Sequence, residues 1–372
     1  MFGKDIQKTI LILTAQFGAG HISAANAIKD ALLEKERFFN IVIQNFITIG
    51  APKMNKPMIK IYENNTKYTP GLYNYYYYLK KSFNSKYDIS TKIYTPKLIE
   101  YILDKKPDLI ISTFPQAAAC VNIFKEKHPE INIPTVTVIT DVVDSMEWVY
   151  PTTNMYFVPS MEIKNRFVQR GMSPDEIKVT GVPINKKFYC KEKFKLDDKC
   201  KLLLLGGGRG LFDVDDEFIY WIDSFLNDHN DKIELTIVTG SNYKLYDKLT
   251  KEKPLDNIKV LGFVNDMYNL IKNYDLMISK PGGATLFEAI HSQTPIIVRN
   301  PKVGQEIENG KFIVDKGIGI LYQDEDDLKE IFYKLSSNMF DSMIDFMQHN
   351  ISELKKTIYP QNIADYILEL LK

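Results

Sequence analysis

The sequence predicts an α/β protein of two doubly wound parallel-sheet domains. Three observations lead there. Short apolar runs alternate with helical patterns along the whole chain, each half opens on such a run followed by a glycine-rich turn, and a lysine-rich stretch containing Pro183 separates the halves. In the first half the expected strands are 9–15, 41–46, 109–113, 135–140, 155–158 and 177–180. In the second they are 201–205, 234–239, 258–261, 276–279 and 295–298. Near-continuous apolar strands of this kind are buried on both faces, which requires helices above and below each sheet. Residues 181–200 serve as the linker, giving domains 1–184 and 185–358. The segment 361–371 follows Pro360 and is apolar on one face through Ile363, Tyr366, Ile367 and Leu370, so residues 359–372 are expected to cross back onto the first domain as a helix. Open parallel sheets bind ligands at the carboxyl ends of their strands, so two such domains are expected to face one another across a shared cleft.

Composition limits the function classes. With 372 residues, 45% hydrophobic and 25% charged, the chain has enough apolar material for two cores and is far from the disordered regime. Cys120, Cys190 and Cys200 are odd in number and lack metal-ligand spacing, which favours a reducing compartment over a disulfide framework. No leader-like N-terminus and no apolar run near 18 residues is present, so the expectation is a cytoplasmic protein whose membrane contact is peripheral. Net charge is zero overall but uneven: residues 1–186 hold 23 Lys and Arg against 17 Asp and Glu, leaving the remainder net acidic. One half is thereby suited to an anionic partner.

The densest chemistry lies in Ser279-Lys280-Pro281-Gly282-Gly283-Ala284, where a strand runs into a Pro-Gly-Gly turn and a helix opens. Backbone N–H groups and a positive helix end meet there, a place for a diphosphate, although such turns also arise as plain α/β connections. Glu288 lies about one turn into that helix and can accept hydrogen bonds from a ribose diol. Gln305, Glu306 and Asn309 follow at the next strand-to-helix turn, offering amides and a carboxylate to sugar hydroxyls. In the first half, strand 9–15 ends in Gln16-Phe17-Gly18-Ala19-Gly20-His21 and an alanine-rich helix. His21 at a helix N-terminus is kept neutral by the dipole and able to take a proton near pH 7, or is simply a capping residue. Asp141 closes strand 135–140, where it can orient His21, accept a proton itself, or cap the next segment.

Leu205-Gly206-Gly207-Gly208-Arg209-Gly210 is the second glycine-rich turn. Neither turn has the G-x-G-x-x-G spacing with an acidic residue at the end of the following strand, so a dinucleotide cofactor is disfavoured, and no P-loop is present. The acidic clusters 213–216 and 324–327 precede helical patterns and read as helix caps rather than metal ligands. Region 53–106 holds eleven lysines, four acidic residues and ten tyrosines, including Tyr75, Tyr76, Lys80 and Lys81. That mixture suits an anionic membrane surface, or a solvated face over a tyrosine-rich core. Nucleic acid is not expected, since no arginine cluster or RNA-binding signature appears.

In this order the motifs resemble the diacylglycerol glycosyltransferases, which include the monogalactosyldiacylglycerol synthases and are related to the peptidoglycan lipid-intermediate N-acetylglucosaminyltransferases. The resemblance runs nearly end to end through Leu11 to His21, Ser112-Thr113-Phe114-Pro115, Thr140-Asp141, Gly181-Val182-Pro183-Ile184, Ser279 to Gly283 with Glu288, and Pro301 to Glu306 with Asn309. It implies a GT-B fold and an inverting transferase that moves glucose or galactose from UDP to diacylglycerol, adding one hexose or several, with no metal and no cofactor. The C-terminal domain would hold the donor: Gly282, Gly283 and Ala284 the diphosphate, Glu288 the ribose, Gln305, Glu306 and Asn309 the hexose, and Phe263 with Val264 the uracil. The glycine turns at Gly18, Gly20, Gly207 and Arg209 would complete that set. His21 and Asp141 would be catalytic, while Phe114, Pro115, Trp148, Tyr75, Tyr76, Lys80 and Lys81 would serve the acceptor and the membrane.

The sequence departs from the family in one place. After Thr140-Asp141 relatives have a histidine before a tryptophan; here the run is Val142-Val143-Asp144-Ser145-Met146-Glu147-Trp148, with Ser145 in that region and only the tryptophan kept. A histidine used for the acceptor or a lipid phosphate would be missing. Two other readings share the pattern: a UDP-N-acetylglucosamine-dependent enzyme with another lipid acceptor or none, and a non-catalytic UDP-sugar sensor at the membrane.

Overall fold

The computed structural model describes residues 7–18, 20–54, 57, 61, 69, 71, 74, 75, 77, 78, 89–189, 199–207, 210, 212, 214–337 and 340–372. Tyr76, Lys80, Lys81, Cys190 and Arg209 therefore lie outside the described residues. The chain divides into two compact units, one of Met1–Lys186, Lys302–Gln305 and Thr357–Lys372, the other of Lys187–Pro301 and Glu306–Lys356.

Each unit is built on a six-stranded parallel sheet. In the first, β1 (Thr9–Thr14), β2 (Asn40–Asn45), β3 (Leu109–Ser112), β4 (Thr135–Val138), β5 (Met155–Val158) and β6 (Ile177–Val179) lie in the order β2-β1-β3-β4-β5-β6. The sheet is buried on both faces, as its apolar runs require. Ile10 and Ile12 pack with Ile28 and Leu32 of the helix Gly20–Lys35, whereas Leu11 and Leu13 point the other way onto Leu98, Cys120 and Phe124. The C-terminal helix Ile363–Leu370 joins the first of these layers through Ile363, Ala364 and Ile367, and Asp365 pairs with Lys35 at 2.8 Å. The last helix thus completes the first unit's core.

In the second unit β7 (Cys200–Leu205), β8 (Ile233–Val238), β9 (Ile258–Leu261), β10 (Leu276–Ile278), β11 (Ile296–Arg299) and β12 (Gly319–Tyr322) lie in the order β12-β11-β10-β7-β8-β9. β12 is absent from the sequence-based expectation. Its four residues open on a glycine, which weakens the strand signal, but the glycine has a packing reason: a Cβ at Gly319 would lie 2.1 Å from the Ile296 carbonyl oxygen of β11. The acidic clusters cap helices, Asp215 accepting from the Phe218 amide and Asp324 from the amides of Asp326 and Asp327.

Both strand orders reverse direction at an internal point, between β1 and β3 in the first sheet and between β7 and β10 in the second. Crossovers leave on opposite faces there, opening a crevice at the carboxyl ends of the strands. The chemistry-bearing turns follow these strands.

Candidate active site

In the first unit the β1 turn carries Gly18 and Gly20 to the start of the helix Gly20–Lys35, which places His21 in its first turn. Gly18 has φ +84°, a conformation that glycine adopts without strain. The next strand across the switch point, β3, ends at Ser112, so Thr113 comes alongside the imidazole. His21 Nδ1 lies 2.9 Å from the Thr113 carbonyl oxygen and 2.8 Å from Thr140 Oγ1. A carbonyl only accepts, so Nδ1 carries the ring proton and Nε2 keeps its lone pair. Thr113 Oγ1 donates to the His21 carbonyl at 3.1 Å, locking backbone as well as ring.

Burial pulls the His21 pKa from its usual 6.5 down to about 4, opposed by the Thr113 hydrogen bond. The shift has the direction expected from sequence, with desolvation as its main cause. Aromatic rings supply that dry surround. Phe114 meets the imidazole edge-on at 4.9 Å between centroids, and Trp148, 3% exposed, lies 6.5 Å away. Phe114 extends to the N-cap of the helix Pro115–Lys127, with Pro115 at its first position, and stacks on Phe17 at 5.3 Å. Asp141 stands one residue beyond Thr140, half-buried, in the loop that also carries Trp148. The ring's hydrogen-bonding partners are thus Thr113 and Thr140, two residues to which the sequence reading gave no role.

The second unit holds the donor candidates. β10 runs through Ser279-Lys280-Pro281 into Gly282, the N-cap of the helix Gly283–His291, which as a glycine has no side chain with which to cap that end. Gly282 has an ordinary φ of −70°, and a Cβ there would meet no atom within 4 Å. Glycine at this position is needed neither for the turn nor for protein packing, and the missing side chain leaves room at Gly282 for an approaching group. Asn309, fully buried, donates from Nδ2 to the Pro281 carbonyl at 2.8 Å and so shapes the turn. Glu288 sits further along the same helix. Its carboxylate has no hydrogen bond or ion pair among the described residues, and desolvation pushes its pKa from 4.5 up to about 7.

The remaining candidates fall at the neighbouring turns. Gly207 follows β7, across the switch point from Gly282. Phe263, 57% exposed, and Val264 follow β9, so an apolar ring is presented to solvent at the carboxyl edge of the sheet. Glu306 is half-buried in the first turn of the helix Gly304–Asp315. Gln305 belongs with Lys302–Gln305, which groups with the first unit. There the Asn74 side chain donates to the Lys302 carbonyl at 2.7 Å, and a Cβ at Gly304 would collide with the Tyr77 ring. Gly18 and Gly20, read as donor-binding, lie in the first unit and form the turn that holds His21. Tyr75 is exposed, one of several apolar side chains on the surface of the tyrosine-rich region together with Met54, Ile61, Tyr78 and Ile93. Among the described residues no group of three or more His, Cys, Asp or Glu side chains is arranged to hold a metal ion, and no helix is long and apolar enough to cross a membrane.

Residues 21–184 match the monogalactosyldiacylglycerol (MGDG) synthase family, and residues 202–357 the glycosyltransferase family 28 C-terminal domain. A processive diacylglycerol beta-glucosyltransferase of Staphylococcus epidermidis is 31% identical over 98% of this chain and 93% of its own. The protein of the same name from Bacillus pumilus is 30% identical over 98% and 96%. Among solved structures, Acinetobacter baumannii MurG superposes with a TM-score of 0.60 at 14% identity, covering 98% of this chain and 99% of that one. The glycosyltransferase of kitacinnamycin gives a TM-score of 0.63 at 12% identity, covering 98% and 100%. The fold is therefore GT-B, two Rossmann-like domains, and the chain belongs to the diacylglycerol glycosyltransferase family.

Proposed function

We propose that this glycosyltransferase moves a hexose, glucose or galactose, from its UDP conjugate to the free hydroxyl of diacylglycerol, with inversion, once or repeatedly. The observation that carries this reading is the glycine-opened helix end at Gly282–Gly283 together with the desolvated Glu288, which has no partner among the described residues, both just beyond the switch point of the second sheet. A diphosphate answers the helix end and a ribose diol answers the carboxylate. The diacylglycerol acceptor rests on the full-length relatives. In the first unit His21 is the base: its Nε2 takes the acceptor proton as the hydroxyl oxygen attacks the anomeric carbon. The UDP leaving group departs as its charge is met by the amides after Gly282, so the chemistry is a single displacement stabilised by fixed dipoles and needs no metal. Asp141, in the same loop as Trp148, faces the acceptor. The lysines and exposed apolar side chains of region 53–106 hold the enzyme peripherally on an anionic leaflet.

The test is incubation of the purified protein with labelled UDP-glucose, UDP-galactose or UDP-N-acetylglucosamine and diacylglycerol vesicles, followed by lipid chromatography. Glycolipid from either hexose supports the proposal and identifies the sugar. Absence of product from both, or consumption of UDP-N-acetylglucosamine alone, would reject it. A second prediction concerns Thr140. Thr140→Val keeps the shape and removes one of the two oxygens that hold Nδ1, a loss worth about 1 kcal/mol. Turnover should fall roughly fivefold with UDP affinity unchanged, read by steady-state kinetics beside calorimetric titration of UDP.

A further inference from the structure

The loop after β4 carries both Asp141 and Trp148, and its two halves are anchored differently. In the second half the Tyr156 hydroxyl accepts from the Tyr150 amide at 2.9 Å and donates to the Tyr150 carbonyl at 2.7 Å. The first half is anchored by charge. Asp144 is only 5% exposed, and its Oδ2 lies 2.6 Å from Arg170 Nη2 and 3.8 Å from Arg166 Nη1. Arg170 Nη1 also donates to the Asp144 backbone carbonyl. One guanidinium therefore grips a single loop residue by side chain and main chain together, a fork that a lysine ammonium cannot reproduce.

Both arginines sit at the end of the helix Met161–Gln169, Arg170 as its C-cap, where the dipole favours cations. That helix is itself fixed by the buried Ile163 and Phe167. Pairing a buried carboxylate in this way is a weak source of stability, since apolar side chains of similar volume serve as well or better. What the pair does supply is a single position for the loop. Four residues beyond Asp144, Trp148 stands beside His21 at 6.5 Å between ring centroids.

We propose that Arg170 is a positioning residue for the acceptor: by clamping Asp144 it fixes the loop and with it Trp148 beside His21, and so the place where the acceptor hydroxyl meets the ring. This rests on the reading of the first unit as the acceptor side. Misplacement of a reacting group by about an ångström costs on the order of a hundredfold in rate. Loss of the clamp should therefore appear in the acceptor kinetics and not in donor affinity.

The experiment uses the full chain with Arg170→Ala and Arg170→Lys, assayed for hexose transfer to diacylglycerol vesicles and for UDP affinity by calorimetry. The same substitutions in a Trp221→Phe background leave Trp148 as the sole tryptophan, so its emission and acrylamide quenching report its burial. For Arg170→Ala, kcat/KM for diacylglycerol should fall roughly tenfold to a hundredfold, with the UDP dissociation constant within about twofold and Trp148 emission shifted to the red. Arg170→Lys, which retains the charge, should move the same way by less, and adding Asp144→Asn to Arg170→Ala should cost little more. Wild-type acceptor kinetics in the lysine variant with an unchanged Trp148 spectrum would overturn the clamp. So would a parallel loss of UDP binding and transfer that tracks the folded fraction. If the wild type itself transfers no hexose to diacylglycerol, the functional reading and the acceptor role fall together, an outcome distinct from an active Arg170→Ala enzyme with unmoved Trp148.

Discussion

His21→Ala is expected to lower turnover by about a thousandfold while leaving UDP affinity within a factor of two, since a positioned general base contributes roughly 10²–10⁴. The expectation follows from how completely the ring is committed. Its Nδ1 proton is held by Thr113 and Thr140, so the remaining nitrogen has no task within the described residues except to meet the acceptor. With a pKa near 4 the ring stays neutral, and His21 imposes no loss of activity until the pH falls towards that value. A weakly basic imidazole in a dry site is still an effective acceptor when the attacking hydroxyl gains acidity as its bond to the anomeric carbon forms. His21→Gln separates position from basicity: glutamine restores a polar side chain of similar reach without the proton acceptor, and it should be as inactive as alanine. Retention of more than about a tenth of wild-type turnover in both variants would remove His21 from the base role and leave Asp141 as the candidate. Rates are read by single-turnover transfer at saturating UDP-hexose, so that changes in binding do not contribute.

What the sequence shows of this arrangement depends on the range over which residues act. Strands announce themselves locally: Ile10 and Ile12 face one core, Leu11 and Leu13 the other, and an unbroken apolar run is the direct consequence. The Pro281-Gly282-Gly283 turn is local too, and so is Glu288 five residues beyond Gly283. The partners of His21 are not. Thr113 reaches the imidazole because β1 and β3 pair in parallel with Leu13 opposite Ser112, a register that no short window contains. Thr140 arrives from β4, one strand further on. Arg170 and Asp144 are 26 residues apart and meet only because the helix Met161–Gln169 brings its C-terminal end to the loop after β4. Burial is equally non-local. It lowers the His21 pKa and raises that of Glu288, whereas local reasoning from the helix dipole gives only the direction for the histidine.

Glu288 should betray itself through pH in two opposite ways. Its pKa is raised from 4.5 to about 7 with nothing to offset the burial, so in the free enzyme the carboxyl is neutral below that value and charged above it. Ribose hydroxyls donate to the charged form, so kcat/KM for UDP-hexose should rise as the pH passes through about 7, a limb belonging to the free enzyme. Bound hydroxyls favour the carboxylate and lower its pKa, so the matching limb in kcat should lie at more acidic pH. Stability runs the other way. A raised pKa in the folded state gives a contribution fully present below the unfolded value of 4.5 and lost as the pH climbs to 7. Above that the buried charge costs at most about 3 kcal/mol. Glu288→Gln removes the charge and keeps the shape. At pH 8 it should raise the thermal midpoint of the second unit, by up to roughly 10 °C for a unit of this size, and the gain should vanish below about pH 5. The same variant should weaken the donor KM by roughly tenfold to a hundredfold through loss of charge-assisted hydrogen bonds and should erase the limb near neutrality. Calorimetric melting at pH 5 and pH 8, paired with pH profiles of both enzymes, measures the two effects together. A variant that loses donor affinity without gaining stability at pH 8 would mean that Glu288 is paired and structural, and a variant that gains stability yet binds UDP-hexose normally would mean that the ribose is held elsewhere.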